Sequence, residues 1–168
     1  MFIASTSEGM AVSLALHRKL ETSLGVTLWS WDVGNMNRFS IDRAKTLIST
    51  SDIAVLVSSP ADVACLRTPN REAGLRTEET LFLLGIMVGA LGPNRVFWVL
   101  PDEEGAPAAV AHRLGIHKFY FDGHRRDINA AISDASFSLQ EAVKEIGLRT
   151  PLGPPEGGLD MVRAWLGK

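Results

Sequence analysis

The segment SDIAVLVSSPADV, residues Ser51–Val63, carries an unbroken apolar run from Ile53 to Val57 that stops at Ser58, Ser59 and Pro60. A run this short, with no polar residue alternating through it, is the pattern of a strand buried on both faces, and such strands belong to parallel sheets covered by helices. A strand is therefore predicted over Ile53 to Ser58. Phe2 to Ala4, Val26 to Trp31, Val96 to Leu100 and Lys118 to Phe121 have the same branched or aromatic character. Helical patterns fill the gaps. Met10 to Ser23 places Val12, Leu16 and Leu20 on one face, with Gly25 as its stop. Ser40 is a suitable N-cap for a helix to about Ser49 with Asp42 in its first turn. A longer helix is predicted from Thr77 to Leu91, with Thr77 as cap, Glu78 and Glu79 in the first turn and Gly92-Pro93 as its end. Ala106 to Leu114 and Arg126 to Ile146 complete the series. Strand–helix alternation of this kind predicts an α/β domain with a five-stranded parallel sheet, order 2-1-3-4-5, and helices on both faces.

The long helix is nearly all apolar after its first turn, which predicts burial between the sheet and another element or a partner subunit. Gly85 and Gly89, four apart on it, are expected to let that element come close. Beyond Gly147 the composition changes, with Pro151, Gly153, Pro154, Pro155, Gly157 and Gly158 in one short stretch. Residues 1–147 are therefore expected to form the domain and 148–168 a linker with a short apolar segment, Leu159 to Leu166. That segment either docks on the domain or leads into a sensor module.

At 168 residues, 46% hydrophobic and 21% charged, the chain can bury a real core, so global disorder is excluded. The net charge of −2 and the lack of a basic run disfavour nucleic acid as a partner. One cysteine, Cys65, rules out an internal disulfide and a multi-cysteine zinc site. His17, His112, His117 and His124 fall on different predicted elements without metal-ligand spacing, so no metal is expected. The longest apolar stretches, such as Leu81 to Leu91, fall short of the roughly 20 residues of a membrane span. Met1 leads straight into a strand. A cytoplasmic location is the expectation.

In a doubly wound sheet, ligands bind beyond the carboxyl ends of the strands. The first such loop, Ser5-Thr6-Ser7-Glu8-Gly9, sets three hydroxyls before a helix, which suits a phosphate or a ribose; the alternative is that Ser7 merely caps the helix. Neither GxGxxG nor GxxxxGK[ST] occurs. The second loop, Asp32 to Phe39, has Trp31 and Phe39 at its ends, aromatics that either stack on a base or belong to the core. The third stretch, Ser59 to Arg76, reads as long and irregular and carries Asp62 and Arg76. Glu78 and Glu79 follow it, as dipole partners or as an acid/base or ribose-binding pair.

FIASTSEG (Phe2 to Gly9), LWSW (Leu28 to Trp31), SDIAVLVSSPADV, LFLLGIMVGALGPNRVFWVLP (Leu81 to Pro101) and RLGIHKFYFD (Arg113 to Asp122) occur in the order found in bacterial TIR-like domains. Across residues 1–147 the chain resembles these predicted nucleotide-binding modules, which are joined to STING, SAVED or cyclic-nucleotide sensor domains in anti-phage defence. The resemblance implies a flavodoxin-like sheet and an NAD⁺ glycohydrolase that releases nicotinamide on self-association, with the loop after the second strand forming a composite site between protomers. NAD⁺ would then be substrate or ligand, with no resident cofactor. The family pattern P-R-D-N-V-x-F-E-L-G is replaced here by R-T-E-E-T-L-F-L-L-G, so Leu83 stands where the catalytic glutamate is expected. Leucine can neither hydrogen-bond the ribose nor stabilise a cationic transition state.

Three readings follow. Glu79 or Glu78 replaces the missing acid, with Ser5, Thr6, Ser7, Trp31, Phe39, Asp62 and Arg76 lining the nucleotide site. Alternatively the domain is catalytically degenerate and binds a nucleotide or assembles with partner TIR domains. The third reading is a nucleoside deoxyribosyltransferase-like enzyme on the same sheet.

Overall fold

In the computed structural model, residues 1–32, 34, 38–65, 71–101 and 106–149 are described, with backbone alone at 38, 39, 71–73, 106 and 108. The strands are β1 (Phe2–Thr6), β2 (Thr27–Trp31), β3 (Ala54–Val57), β4 (Val96–Pro101) and β5 (His117–Phe121). All pair in parallel in the order β2-β1-β3-β4-β5, as the sequence predicts. The helices are α1 (Met10–Leu20), α2 (Arg38–Ser49), α3 (Pro60–Cys65), α4 (Arg71–Leu91), α5 (Ala106–Leu114), α6 (Ile128–Ala131) and α7 (Ser133–Ile146).

Because side chains alternate across a strand, β1 feeds two cores. Phe2 and Ala4 join Leu56, Trp98, Ala44, Leu83, Leu84 and Met87 on the face covered by α2 and α4. Ile3 joins Val55, Phe97, Val99, Leu16, Leu20 and Leu139 on the face covered by α1 and α7. The β1–α1 turn lies so close to the sheet that a Cβ on Gly9 would sit 2.9 Å from Ser5 Cβ and 3.3 Å from the Val57 carbonyl oxygen. Only glycine fits there without displacement.

Several boundaries differ from the sequence reading. The stretch Ser59 to Arg76 is not all irregular: Ser59 and Asp62 form a reciprocal cap for α3, the Ser59 amide donating to Asp62 Oδ2 at 2.7 Å and the Asp62 amide to Ser59 Oγ at 3.2 Å. Pro60 follows at the first helical position, where its missing N–H costs nothing. The long helix begins at Arg71 rather than Thr77. Arg76, inside it, is tied to the β1–α1 loop and to α3, and these contacts hold its early turns helical. Glu78 and Glu79 thus lie in its third turn, beyond the reach of the dipole at its start.

Smaller corrections concern caps. α2 begins at Arg38, so Ser40 lies inside its first turn, Asp42 lies beyond that turn, and no acidic residue occupies it. Ser7 does not cap α1; Gly9 holds the cap position with no side-chain bond. The last predicted helix is two: Asp127 caps α6 by accepting the Ala130 amide at 3.2 Å, and Ile132, fully buried, breaks the line before α7. Gly85 and Gly89 are exposed, with no described atom within 4 Å of where a Cβ would stand, so they bring no described element of this chain close. The expected linker and apolar segment over 150–168 lie outside the described residues. No helix among the described residues is long and apolar enough to cross a membrane.

Candidate functional site

The ends of β1, β2 and β3 bring the three predicted loops to one edge of the sheet. Thr6 pairs in register with Trp31, and Ser5 with Ser30 and Val57. Thr6 projects toward α3, where its hydroxyl bonds both oxygens of Asp62 at 3.0 Å. Asp62 also accepts the Ser59 amide at 2.7 Å, the Ser59 hydroxyl at 2.8 Å and Arg76 Nη1 at 2.9 Å. Arg76 then forks onto Glu8, Nη2 donating to Oε1 at 2.8 Å and Nη1 to Oε2. Asp62 and Arg76 are only 4% and 5% exposed, so this charge network runs beneath the surface. Glu8, whose side chain is 44% exposed, is its outlet to solvent. Hydrogen bonding to Arg76 holds the Glu8 carboxyl below the usual glutamate range, and the same bond, with help from Asp62, pushes the guanidinium further toward its charged form.

Four of the predicted ligand residues are placed as follows. Asp62 and Arg76 bond each other, Thr6 bonds Asp62, and Ser5 is fully buried with no hydrogen-bond partner for its hydroxyl among the described residues. Ser7 alone among the loop hydroxyls is exposed. Glu8, within the quoted S-E-G but not singled out as a site residue, is the group this loop presents.

The second cluster centres on Glu79. Its carboxylate accepts the Trp31 indole Nε1–H at 3.2 Å and the Gly34 amide at 3.0 and 3.2 Å, so α4 holds both Trp31 and Gly34. Gly34 aims that amide from a positive φ of 79°, a conformation that favours glycine. Trp31 is not an exposed platform: it is buried and stacks on Trp29 with ring centroids 5.3 Å apart. Phe39 opens α2 beside the same loop, its side chain outside the described residues. Leu83, one turn on from Glu79, is 1% exposed and sealed in the core with Trp31, Leu56 and Leu84.

Glu78 is exposed, and with Glu79, Ile41 and the half-exposed Phe82 it lines an open depression of about 380 Å³. Toward the other end of the α2–α4 seam lies a second hollow of about 580 Å³, lined by Lys45, Thr46, Ser49, Ile86, Gly89 and Ala90. Among the described residues no group of three or more His, Cys, Asp or Glu side chains is placed to hold a metal ion.

Comparison with known proteins bears on the family and the fold. The model of the CAP12/Pycsar effector protein TIR domain matches residues 1–122. CD-NTase-associated protein 12 of Flavobacterium daejeonense is 26% identical over 106 residues, which is 63% of this chain and 33% of that protein. The Pycsar effector protein PaPycTIR of Pseudomonas aeruginosa is 24% identical over 111 residues, 64% of this chain and 35% of its own. The chain therefore spans about a third of the length of these curated relatives. Among solved structures, a diflavin flavoprotein A3 from Nostoc sp. superposes with a TM-score of 0.50 at 14% identity, covering 88% of this chain and 97% of that one, a likeness of fold alone. A five-stranded flavodoxin-like sheet carrying this family's sequence over most of its length identifies the chain: it belongs to the CAP12/Pycsar effector TIR domain family of bacterial anti-phage defence.

Proposed function

We propose that this chain is the TIR module of an anti-phage effector that binds a nicotinamide adenine nucleotide and assembles with other TIR domains, without itself cleaving the nicotinamide–ribose bond. The observation that carries the reading is the burial of Leu83: the position expected to supply the acid is 1% exposed and packed in an apolar core. The neighbouring polar groups are spoken for. Asp62 engages Arg76 and Thr6, Arg76 also engages Glu8, and Glu79 holds Trp31 and Gly34. The depression beside Glu79 is open, and an open wall leaves a developing oxocarbenium charge facing water instead of fixed dipoles. Nucleotide contact is assigned to Ser7, Glu8, Gly34 and Glu78 at the rim, with the composite part of the site supplied by a neighbouring TIR domain. A cyclic-nucleotide sensor elsewhere in the effector would govern that assembly. Titrating NAD⁺ into the isotopically labelled chain tests the binding half. Shifts of the Ser7, Glu8 and Gly34 amides are expected, and an unchanged spectrum at millimolar NAD⁺ would refute it.

One observation favours a second reading. Because α4 starts at Arg71, the helix dipole offers no account of Glu79, whose carboxylate lies on the depression wall next to Glu78. In this reading Glu79 bonds the nicotinamide ribose in place of the family's glutamate, one turn and roughly 6 Å away. Release of nicotinamide that disappears in Glu79→Ala distinguishes it from the first.

A further inference from the structure

The Glu8 carboxylate occupies a place built for an anion. Arg76 meets it with a planar fork, Nη2 donating to Oε1 at 2.8 Å and Nη1 to Oε2. Paired, parallel bonds of this kind suit a phosphate as well as a carboxylate. α1 begins two residues after Glu8 with no acidic residue in its first turn and no side-chain cap, so no first-turn carboxylate offsets the positive end of its dipole. Both features stand at the carboxyl end of β1, the edge of a doubly wound sheet where ligands bind.

The fork does not need Glu8 to keep its place. Arg76 Nη1 also donates to Asp62 Oδ1 at 2.9 Å, and Asp62 is fixed in turn by the Thr6 hydroxyl, the Ser59 amide and the Ser59 hydroxyl. Glu8 has a long side chain, 44% exposed, on a loop whose backbone is pinned on either side of it. The Ser7 amide donates to the Trp31 carbonyl at 2.9 Å and the Gly9 amide to the Thr6 carbonyl at 3.1 Å. The carboxylate can therefore turn into water while the loop stays where it is. Glu8, Asp62 and Arg76 together carry one negative charge, whereas Asp62 and Arg76 alone cancel. An incoming phosphate thus meets no excess negative charge on this network once Glu8 has turned away.

We propose that the Arg76 fork is a phosphate-binding site which Glu8 occupies as an internal substitute for the ligand, and that a phosphate or pyrophosphate group binds by displacing that carboxylate. As the pyrophosphate subsite of a dinucleotide it rests on the nucleotide reading above; as an anion site it stands apart from it. The test titrates the isotopically labelled, full 168-residue chain with inorganic pyrophosphate and, separately, with NAD⁺, against sodium chloride at matched ionic strength, and follows the Arg76 guanidinium resonances. Glu8→Ala is expected to bind pyrophosphate about tenfold tighter than wild type or better, the factor by which a site covered about nine-tenths of the time loses affinity. Its Arg76 resonances should shift on binding. Adding Arg76→Lys keeps a cation beside Asp62 but removes the fork, and should return the affinity to the wild-type level or below; if that double variant does not fold, the Arg76 shifts in Glu8→Ala decide alone. Equal pyrophosphate affinity in wild type and Glu8→Ala would overturn the proposal, as would binding that leaves the Arg76 resonances in place. NAD⁺ that shifts Arg76 and competes with pyrophosphate makes the dinucleotide the source of the phosphate. Pyrophosphate binding without that competition keeps the site and assigns it to free phosphate, while the Ser7 and Gly34 amides report separately on the nucleotide reading.

Discussion

Glu79 of α4 accepts the indole N–H of Trp31, across the end of the sheet, at 3.2 Å. With the Gly34 amide on the same carboxylate, Glu79 ties both Trp31 and Gly34 to the long helix. Glu79→Ala is expected to lower stability by about 1–2 kcal/mol, since a partly buried indole and an amide lose a charged acceptor. It should also speed hydrogen exchange at Gly34. Denaturant titration and amide exchange check both; a Gly34 amide that exchanges at the wild-type rate would rule out the latch.

Leu83→Ala should cost about 2–5 kcal/mol, the usual range for truncating a large aliphatic in a closed core. Leu83→Glu should cost at least as much, because the new carboxylate would be buried among Leu56, Leu84 and Trp31 without a partner. Thermal melts of the two variants decide this. A Leu83→Glu protein as stable as wild type would mean that position 83 opens to water.

The Glu8–Arg76 bond makes stability depend on acid. The Glu8 pKa is depressed in the folded chain, so its contribution is fully present above its unfolded value near 4.5 and is lost as pH falls through the lower folded value. Unfolding free energies between neutral pH and pH 3 should show a steeper acid limb in wild type than in Glu8→Gln. Superimposable limbs would contradict the assignment.

Gly9→Ala places a methyl 2.9 Å from Ser5 Cβ, a fully buried and short side chain that cannot swing aside. A loss of about 1–3 kcal/mol is expected, as for overpacking generally. An unchanged melting temperature would show that the β1–α1 turn has slack.

The sheet was legible because its strands are short apolar runs between turn residues, and runs such as Ala54–Val57 have no helical alternative of adequate length. Helix starts were harder. Ser59-Pro60-Ala61-Asp62 holds a capping signature that sequence alone displays, but α4 starts at Arg71 through the pairing of Arg76 with Glu8 and Asp62, partners 68 and 14 residues away that no local pattern announces. The same non-local pairing explains the site. Asp62 and Arg76 read from sequence as polar residues of one loop, and in the fold they bond each other. The dipole reading of Glu79 depends on a helix start at Thr77, and the start at Arg71 removes it.

The most direct test of the proposed function is nicotinamide release from NAD⁺ by the concentrated full chain, with and without a crowding agent, measured beside Glu79→Ala. Release no faster than in buffer, from protein whose Ser7, Glu8 and Gly34 amides respond to NAD⁺, is the predicted result. Sustained release by wild type that Glu79→Ala abolishes would contradict it and make Glu79 the acid of a relocated site.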